Sequence, residues 1–388
     1  MRGLDVRYIH QRPGWPHFTW RESELLPLLP EIRHRQGRLL GRMESLGYRF
    51  QAEAGLDALT SEVVKSSSIE GTIFEPASVR SSLARRLGMA GVGAVPSSRD
   101  IEGAVEVLLD ATRRYAEPLT VDRLLGWQAA LFPGGRSGLR RVLVGRWRTP
   151  DMDPMQVVSG PVREPVRRKN IHFEAPEAAR VPGEVDAFLR WFETPDASDP
   201  VIRAAVAHLW FVTIHPFEDG NGRVSRAIAD LALARADRSD LRFYSMSAQI
   251  ETERSVYYGM LERTQKGGTD ITGWLVWFLG CLGRALDRGE KSVAAIIRKA
   301  STWERINAGI PVNERQRTVI HALLDGPAGD ISTSRYAKLA GCSLDTALRD
   351  LKALVEAGVL APGESGGRST RYGLSADPAA PGADGPRG

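Results

Sequence analysis

Cysteine is nearly absent: Cys281 and Cys342 are the only two among 388 residues. Two thiols without metal-ligand spacing leave no disulfide framework or zinc finger to build, and they point to a reducing compartment, the cytoplasm. Long apolar runs are missing as well. The nearest case, Ile271 to Leu286, is too short to span a bilayer and is broken by Gly273, Gly280 and Gly283, so it reads as a buried helix. Arg2, Asp5 and Arg7 precede any apolar stretch, and no secretory signal is expected. Charge of one sign is in small excess, +5, which by itself selects no partner. No repeat is visible, and Gly134 to Gly138 lacks the Lys-Ser/Thr ending of a Walker phosphate loop.

What is present is material for more than one core, since 42% of the residues are hydrophobic. Trp and Leu recur at helical spacing, which predicts a mainly α protein. The densest stretch of chemistry runs from His215 to Arg226, His-Pro-Phe-Glu-Asp-Gly-Asn-Gly-Arg-Val-Ser-Arg. Gly220 and Gly222 allow positive φ, so successive amides there can form a concave nest for phosphate oxygens. Val224, Ile228, Leu231 and Leu233 predict a helix over Val224–Arg235, placing that nest where a helix dipole favours anions. Asp219 stands where a carboxylate can hold Mg²⁺. Arg223 and Arg226, three residues apart, present two guanidinium forks on neighbouring parts of one face. His215, at the end of an apolar helix predicted over Ile202–Thr213, is the natural proton acceptor for an attacking hydroxyl. A Gly-Asn-Gly turn or a His-Pro pair alone is commonplace. Together these residues form a site for transfer at phosphorus, and they leave open which phosphorus is attacked.

The string resembles the signature of the Fic (Fic/Doc) family, His-x-Phe-x-(Asp or Glu)-Gly-Asn-Gly-Arg-x-x-Arg, matched at every defining position. The resemblance implies a protein adenylyltransferase that moves AMP from ATP to a Tyr, Ser or Thr hydroxyl. By this match His215 is the base, Asp219 carries Mg²⁺, and Phe217 belongs to the nucleotide site. Asn221 with the Gly220 and Gly222 amides holds the α- and β-phosphates, and Arg223 and Arg226 grip the β- and γ-phosphates. Upstream, Ser66-Ser67-Ser68-Ile69-Glu70-Gly71 is similar to the family's inhibitory motif. There Ser66, Glu70 and Gly71 are the matching positions, and the resemblance pairs Glu70 with Arg226 so that ATP cannot seat productively. Read without the resemblance, Glu70-Gly71 is a helix C-terminus.

Two further segments extend the site. Met155–Ser159 and Asn170–Phe173 flank a turn with Gly160, Pro161 and the basic run Arg167-Arg168-Lys169, which predicts a hairpin. The resemblance makes it the Fic flap, on which a target segment, of a partner or of this chain itself, docks as an added strand. Glu253 to Glu262 predicts a helix with Gln265 one turn beyond, and Tyr258, Leu261 and Gln265 share a face. Residue pattern alone reads that face as core. The resemblance makes it the adenine pocket.

The organisation expected is a helical N-terminal region over 1–95 that carries the inhibitory motif, a catalytic region over 97–290, and a C-terminal module over 311–375. The final residues, 376–388, rich in Ala, Pro and Gly, are expected to be disordered. The C-terminal helices, with a Gly-rich turn before Arg371-Tyr372-Gly373-Leu374, resemble a winged helix-turn-helix. In that reading Ser343–Ala357 is the recognition helix, Arg349 and Lys352 face DNA, and Arg368 and Arg371 lie on the wing. Asp345, Asp350, Glu356 and Glu364 nearly cancel those bases, so protein contact or homodimerisation stands beside DNA as the module's role. The alternative for the whole chain is a DNA-binding regulator whose Fic region senses nucleotide with little turnover. Removal of AMP and the identity of the target stay open.

Overall fold

The computed structural model describes residues 7–44, 47–89, 95–152, 154–159, 170–325, 330–363 and 370–375. The expected flap turn, the wing residues Glu364 and Arg368, and the 376–388 tail lie outside them. The chain divides into one unit ending at Glu290 and a second beginning at Lys291.

The first unit contains α1 (Glu22–Leu25), α2 (Leu29–Glu44), α3 (Tyr48–Ile69), α4 (Pro76–Arg86), α5 (Arg99–Arg113) and α6 (Val121–Leu131). Two short hairpins follow, β1 (Arg136–Ser137) with β2 (Arg140–Arg141), and β3 (Gln156–Ser159) with β4 (Asn170–Glu174). The chain then returns to helix as α7 (Val181–Glu193), α8 (Pro200–Ile214), α9 (Asn221–Asp237), α10 (Met246–Thr252), α11 (Arg254–Gln265) and the start of α12 (Thr272–Asn307), whose residues continue past Glu290.

Helix α8 is the hub, and its sequence says why. From Val201 to Ile214 every residue but Arg203 is buried, the pattern of a helix covered on all sides. Asp199 caps its start by accepting from the Val201 amide, and Pro200 occupies the first turn, where a missing N–H costs nothing. Helix α9 packs along it, and α5, α6 and α7 surround the pair. The apolar stretch beginning at Ile271 is the first half of α12, with Trp274, Phe278 and Leu282 at most 0% exposed. Among the described residues no helix is long and apolar enough to cross a membrane.

An N-terminal segment is drawn against this unit. Tyr8 meets Phe173 of β4 edge-to-face at 5.3 Å, the His10 Nε2–H donates to the Glu174 carbonyl at 2.9 Å, and Thr19 bridges to Asp270. The Trp15 indole donates to Glu184 of α7 at 2.8 Å.

The second unit contains α13 (Glu314–Asp325), β5 (Ile331–Ser332), α14 (Thr333–Ala340), α15 (Leu344–Glu356), β6 (Leu360–Pro362) and β7 (Arg371–Leu374). Its three strands form an antiparallel sheet in the order β5-β7-β6. Val319, Ile320, Tyr336, Ala347, Leu351 and Leu354 make a core of its own. Ser332 and Ser343 cap α14 and α15 through their hydroxyls. Asp350 is not the surface anion that the sequence suggested. It is buried, accepts from the Tyr336 hydroxyl at 3.1 Å and pairs with Arg315 at 3.1 Å.

Candidate active site

The turn between α8 and α9 is built around a left-handed histidine. His215 caps α8 at φ 51° and ψ 57°, a conformation that costs a non-glycine residue roughly 1–2 kcal/mol. Arg148 fixes it: its Nε donates to the His215 carbonyl at 2.9 Å, its Nη2 donates to the Pro176 carbonyl, and its amide donates to the Pro216 carbonyl at 3.0 Å. The guanidinium is buried among carbonyls, and desolvation lowers its pKa to about 10. The His215 ring is oriented by its own helix. Its Nδ1 lies 3.1 Å from the Val212 carbonyl, which can only accept, so Nδ1 carries the proton. Burial lowers the His215 pKa, against the raising effect of that hydrogen bond and with help from the Arg148 charge. The neutral imidazole therefore presents Nε2 as a lone-pair base.

The loop that follows is braced from within. The Asn221 side chain accepts from the Phe217 amide at 2.9 Å and donates to the Phe217 carbonyl at 2.8 Å. Gly220, at φ +91°, has no room for a side chain, because a Cβ there would lie 2.9 Å from the Phe132 ring. Its amide donates to Asp219 Oδ1 at 2.6 Å. Helix α9 starts at once, leaving first-turn amides without acceptors inside the helix. Glu218, between the motif positions, accepts from the Leu143 amide at 2.8 Å and pairs with Arg140.

Glu70 closes on this loop from α3. The helix ends in a Schellman arrangement: the Thr72 amide donates to Ser67 O, the Gly71 amide donates to Ser68 O, and Gly71 stands at φ +84°. That stop leaves Glu70 at the C-cap, where its Oε1 accepts from Arg226 Nη1 at 2.8 Å. Ser66, one turn earlier, completes the grip: its hydroxyl accepts from Arg226 Nε at 2.9 Å and its carbonyl from Nη2 at 2.8 Å. Burial is the largest influence on the Arg226 pKa and lowers it, but the Glu70 carboxylate, by charge and hydrogen bond, together with Tyr257 and Tyr258 outweighs it and raises the value. An ideal Cβ on Gly222 would overlap Glu70 Oε1, so the carboxylate lies directly against the first turn of α9, where an anion is favoured.

These groups face a cleft of about 680 Å³. His215, Asp219, Gly220, Asn221, Gly222 and Glu70 line one side, and Tyr258, Leu261 and Gln265 of α11 another, with Val157 and Val158 of β3 and His172 of β4 at its edge. The Gln265 amide donates to the Thr213 hydroxyl at 3.2 Å, and the Tyr258 hydroxyl to the Ile69 carbonyl at 3.3 Å.

Two motif side chains do not face the cleft. Phe217 is 0% exposed and packs on Trp147 at 4.9 Å; it anchors the loop in the core and offers a ligand no surface. Arg223 turns away from the cleft, stacks over Phe132 at 4.7 Å and borders a small cavity beside Glu62 and Asp230. The Asn221 amide is engaged with Phe217 through its oxygen and its nitrogen, which uses one of its two N–H donors. Sequence reasoning missed Arg148, which acts on carbonyls far away in the chain, and the His172–Glu262 contact at 2.7 Å, which ties β4 to α11. It also missed Arg254, which lies over Tyr258 at 5.8 Å.

Among the described residues there is no group of three His, Cys, Asp or Glu side chains that could cage a metal. Asp219 alone fits Mg²⁺, an ion usually held by one or two carboxylates together with substrate phosphates.

Residues 118–233 match the Fic/DOC family, and residues 8–89 match a domain of unknown function, DUF4172. The Protein adenylyltransferase Fic of Drosophila melanogaster is 36% identical over 154 residues, 37% of this chain and 30% of that protein. Its Drosophila mojavensis counterpart is 26% identical over 279 residues, 69% of this chain and 49% of that one. The matched stretches thus span half or less of these relatives' length. A Fic domain containing signaling protein from Bacteroides thetaiotaomicron shares the fold at a TM-score of 0.50 and 16% identity, over 68% of this chain and 97% of that one. The chain therefore carries a Fic/DOC family domain, and the His215–Arg226 turn lies within it.

Proposed function

We propose that this chain transfers AMP from ATP to the hydroxyl of a protein side chain. The observation that carries the reading is the neutral His215 Nε2 in one cleft with Asp219 and the first turn of α9. His215 takes the proton of a Tyr, Ser or Thr hydroxyl. The oxygen attacks the α-phosphorus, the bond to the β-phosphate bridging oxygen breaks, and pyrophosphate leaves. The first-turn amides and Arg226 neutralise phosphate charge, and Tyr258, Leu261 and Gln265 receive the base. Mg²⁺ bound by Asp219 and the phosphates would supply further charge neutralisation. The names of the fly relatives support AMP as the transferred group.

In the same reading Glu70 holds the enzyme in check. Its carboxylate engages Arg226 and lies where a phosphate would approach α9, so it competes for the guanidinium and repels the triphosphate. The target segment docks along the β3–β4 hairpin, where Val158 and Ile171 are 42% and 41% exposed. The three-stranded sheet and the α13–α14–α15 order support a winged helix-turn-helix. Burial of Asp350 removes one anion from the face bearing Arg349 and Lys352, which supports a role in targeting to DNA.

The test is incubation with α-labelled ATP and Mg²⁺ of the wild type, Glu70→Gly and His215→Ala. Label on protein that rises in Glu70→Gly and vanishes in His215→Ala is the expected result. No label in wild type or Glu70→Gly would instead leave a nucleotide-sensing regulator.

A further inference from the structure

A second cavity, of about 460 Å³, lies between the N-terminal segment and helices α7 and α8. Its wall is aromatic. Phe18 meets Trp210 edge-to-face at 5.7 Å, Trp191 tilts against Trp210 at 5.2 Å, and Trp20 completes the lining. Ile202 and Val206, on the same face of α8 as Trp210, make an apolar floor. The volume lies within the range of small-molecule sites, and such walls suit a planar ring.

The polar groups decide which kind of ring. Arg203 lies over Trp191 at 4.6 Å and pairs with Asp196, while its Nη2 donates to the carbonyls of Trp191, Phe192 and Thr194. Asp196, the one acid on the lining, is thereby neutralised, and a face of Trp191 is already taken by a cation. Arg190 also lines the cavity, is exposed, and has no ion-pair partner among the described residues. An ammonium guest, the usual occupant of an aromatic cage, would meet two guanidinium groups and a covered indole.

We propose that this cavity binds a planar aromatic carboxylate, its ring held by Phe18, Trp20 and Trp210 and its charge met by Arg190. The site is separate from the nucleotide cleft and needs no part of the transfer chemistry.

The test is titration of full-length protein with naphthalene-2-carboxylate, followed by calorimetry and tryptophan fluorescence, with ATP absent and then saturating. Saturable 1:1 binding is expected, unchanged by ATP. It should weaken about tenfold in Arg190→Glu, whose altered residue is at the surface, and by a similar factor in Trp20→Ala. Thermal midpoints recorded beside each titration check that the variants are folded. Absence of saturable binding to folded wild type, equal or tighter binding of 2-naphthylmethylamine, displacement by ATP, or indifference to Arg190→Glu would each overturn the proposal.

Discussion

Arg226 has two demands on it, the Glu70 carboxylate and any phosphate that enters, and its burial makes either interaction strong. Glu70→Gly should therefore raise automodification, by several-fold or more in an α-labelled ATP assay; an unchanged rate would mean that the ion pair does not restrain the site. Protonation is set nearby. Because the His215 pKa is lowered, its base form persists below the usual imidazole range, and the acid limb of the transfer rate should lie below pH 6.5. His208 behaves alike for a structural reason. Burial, helped by the Arg226 charge, pushes its pKa down to about 3, and its Nε2 lies 2.9 Å from the Tyr257 hydroxyl. The unfolded chain takes up a proton there below pH 6.5 while the folded chain does not. Stability is thus full above that pH and falls as pH drops toward 3, by about 2 kcal/mol at pH 5. Denaturant midpoints between pH 7.5 and 5 should fall accordingly in the wild type, and by less in His208→Gln. The bases and acids of the turn were legible because they are contiguous in sequence. Which way each side chain points was not: Phe217 and Arg223 occupy motif positions yet are oriented by Trp147 and Phe132, contributed by other segments.

At the scale of elements, the end of α3 carries two readings. The Glu-Gly pair reads as a helix stop and as an inhibitory motif, and the structure has the stop together with the Glu70–Arg226 pair, since the Schellman turn is what leaves Glu70 at the cap. Ser66→Ala should loosen the same grip less than Glu70→Gly does, because the Ser66 carbonyl still accepts from Arg226. A smaller gain of labelling is the expected outcome. Helices α8 and α9 were legible to within a few residues, because a long apolar run and a glycine-rich turn leave few alternatives. The β3–β4 hairpin was legible as strands, but its bulge between Val157 and Val158 was not. That irregularity has no signature in so short a sequence.

For the whole molecule, each unit has its own core. Leu351 is fully buried in the second one, and Leu351→Ala should cost roughly 2–5 kcal/mol there. Chemical denaturation followed by probes in each unit should show that loss from Lys291 onward, with the proposed AMP transfer unchanged. The N-terminal region was legible only as helical, and the contacts of its first residues were not, because their partners Phe173, Glu184 and Asp270 are distant in the chain.

The order of the polypeptide adds a last point. The carboxylate on α3 leaves the ribosome well before the histidine and the arginine it confronts, and N-terminal segments are free to fold while the rest is still being made. When α9 winds, the segment that bears the anion has already been made. Under the function proposed above, such a catalyst would be born shut, with no interval in which a newborn molecule labels its neighbours unchecked.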